Sequence, residues 1–199
     1  MNVVNFPEIQ ALFPTPIGIY DLKEKLPYDE LFRYCLMLEA EDKAKDHGLV
    51  KGEGVSSYNY SKNILDDHRF ELVRTLITSQ VKHFQNGIGI HTKLSLGRSW
   101  FNIQRTVSTI TAHNHRRSVT SGALYLHAEQ GTSPITFKSP LHPYKMSEPT
   151  DGAGSTQFAV ENYNVTAETG KLILFPSWLE HYVGFVPDEI RCTLSFNFF

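Results

Sequence analysis

Two stretches in the first half of the chain repeat apolar residues at helical spacing. In "PYDELFRYCLMLEAEDKA" the residues Leu31, Cys35 and Leu38, joined by Phe32 and Leu36, predict an amphipathic helix behind Pro27. "DDHRFELVRTLITSQVKHFQ" repeats the pattern through Phe70, Val73, Leu76, Ile77, Val81 and Phe84, with Asp66 or Asp67 as N-cap. The following "NGIGI" ends that helix, because glycine is the common residue just past a helix. Between the two helices, "HGLVKGEGVSSYNYSKN" reads as loop or short strand.

From about Leu94 the period changes to two. Short alternating runs follow at close intervals: "SWFNIQRTV", "SGALYLHA", "ITFKS", "TQFAVENYNV", "KLILF", "HYVGFV" and "RCTLSFNFF". Gly, Pro or Ser clusters separate most of them, which predicts a sandwich, barrel or jelly roll. Helices first and strands after give an α+β chain, mainly β, with the helices on one outer sheet face. Ser139–Ser155 is the one long irregular stretch and is a candidate lid.

Alternation also assigns faces. In the last strand Cys192, Leu194, Phe196 and Phe198 share an apolar face, and Arg191, Thr193, Ser195 and Asn197 share a polar one. Trp100, Asn102 and Gln104 share a face upstream, as do Ser121, Ala123, Tyr125 and His127. A polar strand face is ordinarily wet. The mouth of a jelly roll offers another place for it, and an Arg buried there needs an anion, the natural one being a ligand carboxylate.

Composition narrows the classes. The chain has 199 residues, enough for one domain with a substantial core, and its 41% hydrophobic and 20% charged content is ordinary for a globular protein. A net charge of −2 gives no reason to expect a nucleic acid or acidic membrane as partner; Arg105, Arg116 and Arg117 form a short basic patch near His113 and His115 that could steer an anion, a solvated loop being the commoner reading. Cys35 and Cys192 lie far apart without CxxC spacing, which argues against a disulfide framework or zinc finger and suits a reducing compartment. The amino-terminal segment lacks a basic, apolar leader, so the expected location is the cytoplasm.

The histidines carry the chemistry. His113 and His115, on a strand or its frayed end, would project together and could share a metal. His181 follows the apolar run "GKLILFPSWLEH", and Arg191 comes ten positions later. This order of paired ligands, a long gap, a third His and then an Arg is the layout of the Fe(II)/2-oxoglutarate oxygenases. Arg suits a carboxylate because its planar fork binds two oxygens at once.

The similarity extends over most of the chain. "LFPTPI" at 12–17, "SWFNIQ" at 99–104, "HNH…SGALYL" at 113–126, "GKLILFPSWLEHYV" at 170–183 and "RCTLSFN" at 191–197 follow one another in order. Together they resemble the phage- and marine-bacteria-associated family of 2OG-Fe(II) oxygenases. The resemblance implies a double-stranded β-helix (jelly roll), within a single domain over 1–199 divided into a helical support region at 1–93 and a jelly-roll core at 94–199. It implies His113 and His181 as iron ligands, and Arg191 with Thr193 as the 2-oxoglutarate carboxylate site. Tyr125 and Asn102 are implied as further cosubstrate contacts. Fe(II) and 2-oxoglutarate are then the cofactors, with O2 and an unidentified substrate, and hydroxylation with release of succinate and CO2 is the simplest reaction.

The wider superfamily carries HxD or HxE where this chain has His113-Asn-His115. Three readings of His115 stand: it ligates, giving a three-His site; it points away and leaves an open position; or the site has decayed. The presence of His181 and Arg191 argues against decay, and ligation is the working assignment. Two rival functions also stand. A cupin-like three-His enzyme would not use 2-oxoglutarate and leaves Arg191 unexplained; a non-catalytic jelly-roll binding or virion module needs no histidines on one wall. The other histidines read as surface or hydrogen-bonding groups: His47, His68, His83 and His91 in the helical half, His142 in the long loop, and His127 on the face of Tyr125. Trp178 and Tyr182 read as packing residues or a pocket wall.

Overall fold

The computed structural model describes residues 8, 10–45, 49–60, 62–129, 131–141, 160–185 and 190–199. His47, His142 and all of the candidate lid beyond Leu141, up to Ser155, lie outside the described residues. Two antiparallel sheets face each other. The larger contains β1 (Gly18–Asp21), β3 (Val55–Ser56), β4 (Leu96–Gln104), β6 (Thr120–Ala128), β9 (Lys171–Pro176) and β11 (Arg191–Phe198), in the order β1-β9-β6-β11-β4-β3. The smaller contains β2 (Val50–Lys51), β5 (Thr109–His113), β7 (Ile135–Lys138), β8 (Asn162–Val165) and β10 (His181–Val183), in the order β2-β5-β10-β7-β8. This is the expected jelly roll. β1, β2 and β3 come from the first 93 residues, so that region supplies edge strands to both sheets as well as helices.

Helices α1 (Tyr28–Ala40) and α2 (Glu71–Gly87) cover the outer face of the larger sheet. Their buried stripes, Leu31, Cys35 and Leu38 on α1 and Val73, Ile77 and Val81 on α2, meet Phe101, Leu124, Leu194 and Phe196 from the strands. Asp67 does cap, but it caps a short 3-10 turn (His68–Phe70) by accepting from the Arg69 N–H, and α2 begins after it at Glu71. Cys35 and Cys192 are both buried and free. Among the described residues no helix is long and apolar enough to cross a membrane.

The apolar side of β11 fixes what its other side does. Each fully buried Leu or Phe there contributes about 1.5–3 kcal/mol relative to exposure. A one-residue slip would turn that whole set outward, so the register is strongly specified. Cys192, Leu194, Phe196 and Phe198 accordingly sit under the helices, while Arg191, Thr193, Ser195 and Asn197 line the space between the sheets.

Simple alternation fails within β6. Thr193 pairs with Tyr125 but Cys192 pairs with His127, so Leu126 is an extra residue and the strand is bulged. The bulge reverses the phase. Tyr125 belongs to the inter-sheet cluster, whereas the His127 ring stacks on Phe32 of α1 at 4.3 Å, with an interplanar angle of 7°. His127 therefore does not share the face of Tyr125, contrary to the sequence expectation.

Candidate functional site

Strand pairing assembles the three histidines. His113 is the last residue of β5, His181 the first of β10, and the two are direct partners in the antiparallel ladder. Their ring centroids are 4.4 Å apart. β9 ends at Pro176, and the turn closed by the Leu179 N–H on the Pro176 carbonyl carries the chain from the larger sheet to the smaller. Within that turn the Ser177 carbonyl accepts from the His115 N–H at 2.8 Å, holding His115 beyond the end of β5. The His115 centroid lies 5.0 Å from that of His113 and 5.1 Å from that of His181. One nitrogen from each ring can be chosen so that all three fall within 4.8 Å of one another.

The hydrogen bonds also select tautomers. The His113 Nδ1 lies 2.8 Å from the Thr111 carbonyl and the His181 Nδ1 lies 2.9 Å from the Leu179 carbonyl. A carbonyl can only accept, so Nδ1 carries the proton in both rings and Nε2 presents its lone pair. Burial, with the neighbouring rings of His181 and His113, brings the His115 pKa down to about 3. Burial, with His113, brings that of His181 to about 4. Both imidazoles are thus held neutral, the state that ligates.

Arg191 opens β11 at the inner end of the same space. It is 2% exposed, and no acidic group pairs with it among the described residues. Its Nη1 donates to the Ser133 carbonyl at 3.0 Å and its Nη2 to the Tyr125 hydroxyl at 3.2 Å, while Nε has no partner. Burial works against its charge, with only the Tyr125 hydroxyl opposing that effect. The guanidinium carbon also stands 4.9 Å from the centre of the Tyr125 ring. Thr193 follows on the same face, directly across from Asn102 of β4, whose Nδ2 donates to the Ser195 hydroxyl at 3.3 Å.

Six of the seven residues singled out in the sequence, His113, His115, His181, Arg191, Thr193 and Asn102, line one cavity of about 380 Å³. Tyr125 stands behind the wall and positions Arg191. Tyr182 lines the cavity as well, while Trp178 is 55% exposed and does not. Sequence reasoning missed Tyr58, Asn114 and the pocket-lining position of Arg116. Tyr58 comes from an aperiodic loop and meets Trp100 edge-on at 4.9 Å, a contact with no signature in the chain. Gln104, the direct partner of Arg191 across the β4–β11 ladder, is fully buried with neither amide atom hydrogen-bonded.

These residues fit a divalent transition metal and a dicarboxylate. Three imidazoles, each with a ring nitrogen within 4.8 Å of one from the others, are a nitrogen donor set suited to iron, nickel or zinc. A buried guanidinium with an unpartnered Nε and no acidic partner among the described residues is suited to binding an anion, because an uncompensated buried charge is very costly.

A family model described as "Putative 2OG-Fe(II) oxygenase" matches residues 98–197, a span that includes all seven residues. No curated protein matches the sequence. A Pseudomonas putida prolyl-4-hydroxylase superposes with a TM-score of 0.65 at 17% identity, covering 92% of both chains. A Trichoplax adhaerens prolyl hydroxylase, solved with a hypoxia inducible factor peptide, gives 0.63 at 12% identity over 92% of this chain and 83% of that one. HygX from Streptomyces hygroscopicus, solved with nickel and 2-oxoglutarate bound, gives 0.59 at 12% identity over 92% and 82%. At these identities the likeness to the solved structures is one of fold.

Proposed function

Because the chain belongs to the 2OG-Fe(II) oxygenase family, we propose that His113, His115 and His181 hold the iron and that Arg191 binds the distal carboxylate of 2-oxoglutarate. The protein is an oxidoreductase that uses Fe(II) and 2-oxoglutarate. The observation that carries the assignment of residues is Arg191: buried, held by one carbonyl and one phenol, and lacking an acidic partner among the described residues. A three-His enzyme working without a dicarboxylate would have no use for it.

When bound, iron and 2-oxoglutarate supply oxidation of a substrate C–H bond by O2, coupled to decarboxylation of the cosubstrate to succinate and CO2. The protein's residues do the rest. His113 and His181 offer Nε2 because Thr111 and Leu179 hold their Nδ1 protons. His115 completes the triad from its anchor on Ser177. Arg191 fixes the cosubstrate's far end, with the Tyr125 hydroxyl keeping the guanidinium plane in place. Thr193 and Asn102 flank that end from adjacent strands and are assigned as polar contacts to the same molecule. Phe175, which also lines the cavity, stacks edge-on against His181 at 4.7 Å and walls the metal side with apolar surface.

Thermal melting under anaerobic conditions tests this reading. Ligands that bind only the folded state raise its stability by mass action. Adding 2-oxoglutarate to the Fe(II)-loaded protein at a hundredfold excess over its Kd is expected to raise Tm by about 5–10 °C. The same addition to metal-free protein is expected to do much less. A Tm indifferent to 2-oxoglutarate in the presence of iron would move the assignment to metal chemistry without this cosubstrate.

A further inference from the structure

Building on that reading, we propose that the primary substrate is a small anion, a carboxylate or phosphate ester, recognised by Arg116 at the cavity mouth. The argument starts from what lines the cavity. Among the described residues its lining contains two guanidinium groups, Arg191 and Arg116, and no Asp or Glu. The acidic residue nearest in sequence to a ligand is Glu180, which is absent from the lining and is paired with Lys138 at 2.6 Å.

Charge then points to the substrate class. Histidine ligates as the neutral imidazole, so three histidines bring no negative charge where two histidines and a carboxylate would bring one. The dianionic cosubstrate meets iron(II) and Arg191 together, two negative charges against three positive, before Arg116 is counted. Arg191 spends its charge on the cosubstrate's far end, while Arg116 has no hydrogen-bond or ion-pair partner among the described residues. With a neutral substrate the Arg116 charge is met by solvent alone. An anion at the mouth would add a direct charge-assisted contact to it.

The backbone that carries Arg116 is also held in place. The Ser118 N–H closes a turn on the His115 carbonyl at 3.4 Å, with Arg116 and Arg117 at its centre. Arg117 takes the second central position at φ 69°, a left-handed conformation that costs a non-glycine residue energy and that persists where the surroundings impose it. The turn is pinned on both sides, by His115 N–H to Ser177 O and by Val119 N–H to Phe198 O, each 2.8 Å. Across from it, Tyr58 and Trp100 present edge-to-face rings, with Trp100 5.8 Å from His115. The mouth thus offers one cation and an aromatic wall beside the metal ligands, suited to a compact acid with an apolar body.

The experiment compares benzoate, phenyl phosphate and the neutral isostere benzamide on the anaerobic Fe(II)–2-oxoglutarate complex. Perturbation of its visible metal-to-ligand band reports binding without requiring turnover. At least one of the acids is expected to bind about tenfold tighter than benzamide, the worth of one charge-assisted contact. Which acid gains distinguishes carboxylate from phosphate. The preference is expected to vanish in Arg116→Gln, to persist in Arg117→Gln, and to shrink as ionic strength rises, since Arg116 is exposed. Equal binding of acids and amide overturns the proposal, as does a preference retained by Arg116→Gln or loss of the band through displacement of 2-oxoglutarate. If the band forms and no preference is found, this inference fails alone. If iron and 2-oxoglutarate give no band before any probe is added, the cosubstrate reading fails and takes this one with it.

Discussion

Replacing Arg191 by leucine is expected to weaken 2-oxoglutarate binding at least about 100-fold while changing iron affinity by less than about threefold. Removing one partner of a buried charge pair costs on the order of 3–5 kcal/mol, because the other charge is left without compensation. In the proposed complex the stranded charge would be the cosubstrate's carboxylate, and the cavity residues assigned beside it, Thr193 and Asn102, carry no cation. In the proposed assignment iron would be held by residues of β5 and β10 and the segment after β5, none of them on β11, so its affinity is expected to be insulated from the change. The ligand-free variant should be no less stable than the parent, because a buried guanidinium with an unpartnered Nε is replaced by an apolar side chain. Calorimetric titration of iron and then 2-oxoglutarate, with a melting curve of the apoprotein, separates these effects. Unaltered 2-oxoglutarate affinity in the leucine variant would remove Arg191 from the site.

The second large effect concerns the histidines. His181→Ala and His113→Ala are each expected to lower Fe(II) affinity by more than about 100-fold, since disturbing even an orienting partner of a ligand costs 10–100-fold. His115 separates two coordination schemes. If it ligates, His115→Ala falls with the other two, and His115→Asp recovers most of the affinity by restoring two imidazoles and a carboxylate. If it points away, His115→Ala binds iron as the parent does. The first outcome is expected, because the His115 ring lies about as far from His181 as from His113, at 5.1 and 5.0 Å, and its backbone is tied to Ser177 on the ligand side. Anaerobic iron binding by the three alanine variants, with the aspartate variant beside them, decides it.

Much of the site was legible because one strand carries both patterns. In β11 a strict period of two separates the residues under the helices from those facing the cavity, and no bulge interrupts it from Arg191 to Phe196 on the β4 side. The convergence of His113 and His181 is a different kind of fact. It depends on β5 lying next to β10, a pairing between segments 68 positions apart in the register His113–His181, which no local period encodes; the family resemblance supplied it. His127 was misassigned by the same counting rule that succeeded in β11, since the extra residue Leu126 reverses the alternation and the sequence does not announce the bulge. Tyr58 was unreadable as a site residue because a loop places it; the basic patch containing Arg116 was visible beside the histidines, but its position in the cavity lining depends on a turn that only the fold supplies.

The central claim is that one cavity joins a three-histidine iron site to an arginine-held 2-oxoglutarate. The most direct measurement is the visible absorption spectrum of the purified apoprotein, without oxygen, as Fe(II) and then 2-oxoglutarate are added. A metal-to-ligand charge-transfer band that requires both additions, and that at the same 2-oxoglutarate concentration is largely lost in Arg191→Leu, is the predicted result. A protein that binds iron through His113, His115 and His181 yet gives no band with 2-oxoglutarate would contradict it.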